Sequence, residues 1–261
     1  MKKYLLFNFK TNPTNLNQLG ELLTIFKRYA PSITKKYKAI LFPPDIYLTE
    51  VKNVLKQNVI LGAQNVFWFN KILATGEITP LMLKSLGIQY IIIGHSERRH
   101  YLKETNEMID WKIKACLNNK LIPVLCVGEQ EKDKDELRPN FRTKQEIFEQ
   151  LNYAFRGLKI NSPADGANLM IAYEPVWAMG KGVSQNLKAS QAIITLIRFW
   201  LSRRFGEKIA KYIPILYGGS VNHQNIKEFL SVKDISGVLI GNASTNKIEL
   251  SKLFKQLTTN N

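Results

Sequence analysis

Short apolar runs recur along the chain, and longer segments with helical spacing separate them. Eight runs have the length and composition of strands: residues 4–9, 38–42, 58–63, 89–94, 121–126, 168–173, 213–217 and 237–241. Most are continuously apolar instead of alternating, which is typical of parallel strands buried on both faces. The pattern therefore predicts a parallel sheet.

The segments between these runs place apolar residues on one helical face. The clearest are residues 15–30, 104–119, 143–158 and 186–205. Eight alternating βα units in 261 residues predict an α/β fold, a (β/α)8 TIM barrel of eight parallel strands ringed by helices, as a single domain over residues 1–261. An open doubly wound sheet is the alternative. Residues 128–141 and 160–168 lack periodicity, and we predict an exposed connection and a turn there.

Composition and charge indicate the compartment and possible partners of the protein, but not any reaction that it catalyses. Cys116 and Cys126 show no metal-ligand spacing, the first residues do not resemble a secretory signal, and no apolar run reaches the ~20 residues that span a bilayer. We expect a cytoplasmic protein with reduced thiols and no membrane segment. The formal net charge of +16 fits a solvated basic surface, steering of a small anion or nucleic-acid binding. Because the lysines are scattered, nucleic acid is not expected.

Polar residues collect where the predicted strands end. The carboxyl ends of the strands carry the active site in TIM-barrel enzymes, and a strand-end histidine or carboxylate elsewhere often has only a structural role. The residues concerned are Asn8 and Lys10 after the first run, His95 and Glu97 after the fourth, Glu174 after the sixth, Gly218, Gly219 and Ser220 after the seventh, and Gly241 and Asn242 after the eighth. Their convergence on one face predicts a catalytic site.

Glu174 and His95 suit acid–base chemistry. Glu174 lies next to Tyr173 and Pro175, where partial desolvation favours a general base. His95 precedes a short predicted helix for which Ser96 is the expected N-cap. The positive end of a helix dipole disfavours an imidazolium, so we expect His95 to act as a neutral hydrogen-bond donor.

Lys10 and the glycine motifs suit binding of an anion. Lys10 follows Asn8 by two residues, and strand alternation would direct both side chains to the barrel mouth. An ammonium there can stabilise a dianionic substrate and a developing oxyanion. The motifs YGGSV and IGNAS follow the last two runs, where glycines allow close backbone approach to a ligand and barrel loops often bind phosphate.

A series of motifs runs in order along nearly the whole chain. They are NFK at 8–10, GAQN at 62–65, TGEIT at 75–79, GHSERR at 94–99, PVLCVGE at 123–129, AYEPVWAMGKG at 172–182, YGGSV at 217–221 and GNAS at 241–244. Together they resemble the triosephosphate isomerase family, and GHSERR with AYEPVWA is highly specific.

The resemblance implies an isomerase of glycolysis and gluconeogenesis that interconverts dihydroxyacetone phosphate and D-glyceraldehyde 3-phosphate through an enediolate, without metal or organic cofactor. It implies that Glu174 moves the proton between the two carbons and that His95 polarises the carbonyl. Lys10 and Asn8 match the electrostatic and orienting pair of the family, and Glu97 matches the partner of that lysine.

The resemblance also implies a phosphate site, a lid and a homodimer. The phosphate would bind to amides of Gly180, Ser220, Gly241 and Asn242, under a lid of residues 175–185 supported by Tyr217 and Ser220. Thr75 would reach the neighbouring subunit. The chain departs from the family at Lys181 in the lid, at residues 183–185 in its second hinge, and at Asn242, where a glycine is usual.

Two other functions fit part of the sequence. An epimerase acting on a sugar phosphate would share the barrel and the phosphate loops, but it would not combine GHSERR with AYEPVWA. A basic nucleic-acid-binding protein on the same barrel rests on the charge alone, without basic stretches interleaved with aromatic residues.

Overall fold

Eight parallel strands close into a barrel in chain order, with the first strand paired to the last. A computed structural model describes residues 2–56, 58–70, 74–133, 135, 137, 139–178 and 186–259. The strands are β1 (Tyr4–Asn8), β2 (Lys38–Phe42), β3 (Ile60–Ala63), β4 (Tyr90–Ile93), β5 (Ile122–Val127), β6 (Met170–Tyr173), β7 (Ile215–Tyr217) and β8 (Gly237–Ile240). The barrel confirms the predicted TIM-barrel fold and excludes the open sheet.

Helices surround the barrel, and short 3-10 turns follow several strands. The helices are α1 (Leu16–Lys36), α2 (Leu48–Leu55), α3 (Pro80–Ser85), α4 (Ser96–Tyr101), α5 (Asn106–Asn118), α6 (Phe141–Ala154), α7 (Pro163–Ala167), α8 (Leu187–Phe205), α9 (Glu207–Ala210), α10 (Ile226–Ser231) and α11 (Lys247–Thr258). Among the helices described, none is both long enough and apolar enough to cross a bilayer.

Successive residues of a strand enter two different cores. Leu6 of β1 belongs to the cluster inside the barrel, which receives side chains from every strand. Its neighbours Leu5 and Phe7 belong to the cluster between barrel and helices. Phe7 packs edge-on against Phe26 of α1, with ring centroids 5.1 Å apart. Because both strand faces are buried, the strands read as continuous apolar runs.

Helix α1 continues beyond its predicted end at residue 30. Pro31 lies inside the helix, where it lacks an N–H and costs about 3 kcal/mol. The next turn nevertheless buries Ile33, and the Thr34 hydroxyl donates to the Ala30 carbonyl at 2.8 Å. Burial of this last turn explains how the helix extends to Lys36.

The two aperiodic stretches contain more structure than the sequence predicts. The turn predicted over 160–168 is wrong at its centre, where α7 forms one turn with a capping box between Ser162 and Asp165. The predicted exposed connection over 128–141 is wrong at its start, because Glu129 is buried. Both stretches are polar, so the sequence predicted neither helix α7 nor the burial of Glu129. Each depends on a specific hydrogen-bond partner for a polar side chain, which the sequence does not show.

Candidate active site

A cavity of about 510 Å³ opens at the carboxyl ends of the strands. Its wall contains most of the residues singled out from sequence, namely Asn8, Lys10, His95, Glu174, Gly218, Gly219, Ser220, Gly241 and Asn242. These positions lie far apart in the chain and meet because parallel strands end on the same face of a barrel.

Lys10 is held by two contacts at the end of β1. Its backbone N–H donates to Asn8 Oδ1 at 3.0 Å, and its Nζ donates to Glu97 Oε1 at 2.6 Å. Lys10 has a φ of +54°, a left-handed conformation unusual for a side chain larger than glycine. Lys10 and Asn8 both line the cavity, as predicted. Strand alternation is not the reason, because β1 ends at Asn8 and the Lys10 side chain reaches the cavity through this turn.

His95 caps the helix that follows it. The Glu97 backbone N–H donates to His95 Nδ1 at 3.3 Å, so the predicted N-cap at Ser96 is wrong and His95 takes that place. Glu97 Oε2 lies 3.6 Å from the same nitrogen, beyond a good hydrogen bond. Because Nδ1 accepts a hydrogen bond, we assign the ring proton of the neutral imidazole to Nε2.

Glu174 is the most buried carboxylate of the cavity wall, with 1% of its surface exposed. Its Oε2 accepts from the Ser96 backbone N–H at 3.3 Å, and its Oε1 lies 3.4 Å from His95 Nε2. The sequence-based expectation of a desolvated carboxylate is therefore met. Gly218 packs closely against it, since a Cβ there would lie 2.9 Å from Glu174 Cγ.

Glu129 was missed by sequence reasoning and contacts Trp177 in the first part of the predicted lid. Its Oε1 accepts from the Tyr173 hydroxyl at 3.0 Å and from Trp177 Nε1 at 2.8 Å. Burial raises the pKa of Glu129 to about 7, although these hydrogen bonds oppose the shift. A glutamate that ends an apolar run, as in PVLCVGE, was the available signal.

Arg99 was also missed, because sequence alone does not separate it from its neighbour Arg98. Its guanidinium donates to the Gly94 carbonyl at 2.8 Å and to Asn106 Oδ1 at 2.7 Å. Burial lowers the pKa of Arg99, while nearby groups, Glu174 among them, favour its charge. Arg99 thus links the end of β4 to α5 and places a positive charge near the carboxylate.

The loops after β7 and β8 form the far wall of the cavity. The carbonyl of Ser220 accepts from Asn225 Nδ2 at 2.9 Å, and Asn242 begins a 3-10 turn over Asn242–Ser244. Tyr217 is fully buried and stacks on Phe229, with centroids 4.0 Å apart. Backbone groups thus face the cavity on a wall supported by aromatic packing.

Several predicted features lie partly or wholly outside the described residues. Gly180, Lys181 and residues 183–185 are among these, so the segment predicted as a lid is described only over residues 175–178. There Val176–Ala178 forms a 3-10 turn, and the Val176 N–H donates to the Glu129 carbonyl at 3.1 Å. Thr75 is exposed and does not line the cavity.

A buried carboxylate, an imidazole and a fixed ammonium at the carboxyl ends of a closed barrel define a TIM-barrel enzyme suited to acid–base chemistry. A family model described as triosephosphate isomerase matches residues 3–257. The chain belongs to the triosephosphate isomerase family.

Similarity to individual members covers most of the chain. It is 39% identical to the triosephosphate isomerase of Thermoanaerobacter pseudethanolicus, over 90% of this chain and 92% of the relative. It is 41% identical to that of Dictyoglomus thermophilum, over 90% of both chains. It is also 41% identical to that of Dehalococcoides mccartyi, over 95% of this chain and 94% of the relative.

Proposed function

We propose that this protein interconverts dihydroxyacetone phosphate and D-glyceraldehyde 3-phosphate, an aldose–ketose isomerisation of glycolysis and gluconeogenesis. The observation that carries the proposal is the 3.4 Å approach of Glu174 Oε1 to His95 Nε2 in a cavity that also contains Lys10. A base, a hydrogen-bond donor and a cation are the groups required to remove a proton beside a carbonyl and stabilise the resulting enediolate.

In this mechanism Glu174 removes a proton from the carbon next to the carbonyl and returns it to the adjacent carbon. In the structure Glu174 Oε2 accepts a hydrogen bond from the Ser96 N–H. The carboxylate must leave this amide before the oxygen can take a proton from the substrate carbon. His95 Nε2–H donates to the carbonyl oxygen and shuttles protons in the enediolate. The conversion consists of proton transfers, so the proposal requires no metal or organic cofactor.

The remaining residues bind and orient the substrate. The Glu97 carboxylate fixes Lys10, whose ammonium stabilises negative charge that develops on the substrate oxygens, and Asn8 fixes the backbone at the same turn. The phosphate would bind amides of Gly180, Ser220, Gly241 and Asn242, under the lid of residues 175–185 supported by Tyr217. A closed lid would exclude water and suppress elimination of phosphate from the enediolate.

A coupled assay of glyceraldehyde 3-phosphate conversion tests the proposal. Glu174→Asp should reduce kcat by roughly two to three orders of magnitude, because a retreating carboxylate loses near-attack geometry. Glu107→Asp, the same substitution at an exposed position of α5, should keep wild-type activity. A wild-type protein without isomerase activity would refute the function, and a fully active Glu174→Asp variant would refute the assignment of the base.

We also propose that the protein is a homodimer. Ile46, Tyr101 and Leu102 are large apolar side chains that are 82%, 72% and 61% exposed, and exposed apolar surface favours association. Tyr101 and Leu102 line a second cavity, of about 490 Å³, that also contains Lys10. Insertion of the exposed Thr75 loop of a partner would cover it. Analytical ultracentrifugation should give twice the monomer mass, and Tyr101→Asp should lower it.

One catalytic domain over residues 1–261 and a cytoplasmic location complete the proposal. The site draws on strand ends from β1 to β8, so no smaller unit would contain it. Cys116 and Cys126 are unpaired and buried, as suits a reducing compartment. Limited proteolysis should yield no smaller active fragment, and cell fractionation should recover the activity with cytoplasmic markers.

A further inference from the structure

The cavity of the candidate site extends past the proposed phosphate loops to the first turn of α11. Its wall there includes Asn222 of the β7 loop, defined as residues 218–225, and Glu249 of α11. His223 Nδ1 and Glu249 Oε2 lie 2.7 Å apart, with 28% and 30% of their side chains exposed. This contact is a direct side-chain link between the β7 loop and the helix that follows the β8 loop.

Bonds within the β7 loop fix its shape. Asn225 Oδ1 accepts from the Asn222 N–H at 2.9 Å, and Asn225 Nδ2 donates to the Ser220 carbonyl at 2.9 Å. These bonds lie within the loop and do not reach the β8 loop. The strand pairing ends at Tyr217↔Val238, before either loop begins. The contact between His223 and Glu249 adds a side-chain restraint on the spacing of the two loops.

Glu249 is a rigid attachment point for that link. Asn246 Oδ1 accepts from the N–H groups of Ile248 and Glu249, at 3.0 and 3.1 Å, and so caps α11. A carboxylate in the first turn is favoured by the helix dipole. The hydrogen bond from His223 lowers the pKa of Glu249, and Lys252 adds to the effect. The Glu249 carboxylate is therefore favoured in its ionised form, and the capped first turn of α11 holds it in place.

The same carboxylate would disfavour a phosphate if His223 were absent, because its other charged partner, Lys252 Nζ, lies 3.6 Å from Oε1, beyond a good hydrogen bond. Glu249 lines the cavity that contains Ser220, Gly241 and Asn242, and like charges repel in a partly desolvated site. His223 occupies Glu249 Oε2, directing a hydrogen bond to the charge that would otherwise face the anion. The pair thus has two effects on the cavity: it sets the loop spacing and it screens a carboxylate.

We propose that His223 and Glu249 are positioning residues for the substrate phosphate. Their contact holds the β7 loop where Ser220 of that loop and Gly241 of the β8 loop can bind one phosphate together. This inference rests on the proposed function. It predicts that removing His223 weakens phosphate binding more than removing Glu249. Removal of His223 leaves a carboxylate exposed to the anion, whereas removal of Glu249 eliminates the contact and the negative charge together. A general loss of structure would not produce this difference.

The test combines isomerase kinetics with direct binding of inorganic phosphate, followed by NMR on the full-length protein. In His223→Ala, KM should rise roughly three- to tenfold with kcat within about twofold, since uniform binding is lost. Glu249→Ala should raise KM less, and the double variant should match Glu249→Ala. His223→Gln, which retains a donor, should restore most of the wild-type KM. Phosphate affinity should follow the same order.

Lys247→Ala is the matched control, because it breaks an ion pair of the same helix, Lys247 Nζ to Glu21 Oε2 at 2.8 Å, without involving the β7 loop. It should keep the wild-type KM. Unchanged KM and phosphate affinity in His223→Ala would overturn the inference, as would equal effects in Lys247→Ala. If the wild type lacks isomerase activity but phosphate binding still follows the predicted order, the proposed function fails and the positioning role stands.

Discussion

Replacing Glu129 by glutamine should remove a pH-dependent component of stability. The carboxyl group is buried, its Oε1 accepts two hydrogen bonds, and its Oε2 has no hydrogen-bond partner among the described residues. Burial raises the pKa of Glu129 from its ordinary value of 4.5 to about 7. The folded protein therefore binds this proton more tightly than the unfolded chain.

The sign and size of the effect follow from linkage. Between the unfolded and folded pKa values the folded state binds more protons, so stability falls as pH rises through this window. One pKa unit corresponds to about 1.4 kcal/mol. From pH 5 to pH 8 this carboxyl group should lower the free energy of unfolding by roughly 2 to 3 kcal/mol. Glutamine does not ionise, and it retains an acceptor oxygen for Tyr173 and Trp177.

Urea unfolding at pH 5 and pH 8 measures the difference. Other titrating groups contribute equally to both proteins, so the relevant quantity is the free energy of unfolding of Glu129→Gln minus that of the wild type. It should be larger at pH 8 than at pH 5 by roughly 2 to 3 kcal/mol. Glu107→Gln at an exposed position should show no such change. An equal difference at both pH values would mean that Glu129 stays ionised throughout, contrary to the argument from burial.

Three further substitutions test the site and the fold. Gly218→Ala would place a Cβ 2.9 Å from Glu174 Cγ and so displace the carboxylate. The value of kcat should fall about ten- to a hundredfold with Tm little changed, and an unchanged kcat would contradict the tight packing. Lys10→Met removes the ammonium 2.6 Å from Glu97 and should lower kcat/KM at least about a hundredfold in the coupled assay, whereas a loss below twofold would exclude an electrostatic role. Gly20→Ala lies in α1, where the added Cβ would have no atom within 4 Å apart from its chain neighbours and the helix backbone. It should raise the free energy of unfolding by about 0.5–1 kcal/mol in urea denaturation, and lower stability would contradict the open geometry.

The fold was predictable because the barrel imposes a simple pattern on the chain. A strand buried on both faces is largely apolar, and runs of this kind indicated all eight strands in the sequence. Ends of elements were less predictable, because they depend on tertiary contacts. Helix α1 passes Pro31 and buries Ile33 in its last turn, and neither the proline nor the isoleucine shows this by itself.

Sequence reasoning placed the site residues on one face but not their local contacts. His95 caps its own helix, Lys10 adopts a left-handed turn, and Glu129 is buried against Tyr173 and Trp177. Each depends on where a backbone amide or a second side chain lies in space. The position of a residue in the sequence predicts the strand end at which it lies. The hydrogen-bond partners of its side chain are known only from the folded barrel.

These contacts explain how one segment can contain both the proposed base and the start of the predicted lid. The N–H of Glu174 donates to the Val127 carbonyl of β5 at 2.8 Å, and the N–H of Gly218, after β7, donates to the Tyr173 carbonyl at 2.7 Å. Neighbours on both sides therefore hold the backbone at the base. Beyond Pro175, the Val176 N–H still reaches the Glu129 carbonyl. Since barrel hydrogen bonds fix the backbone at Glu174 before the predicted lid begins, movement of a lid beyond this point would not displace the backbone that carries the proposed base.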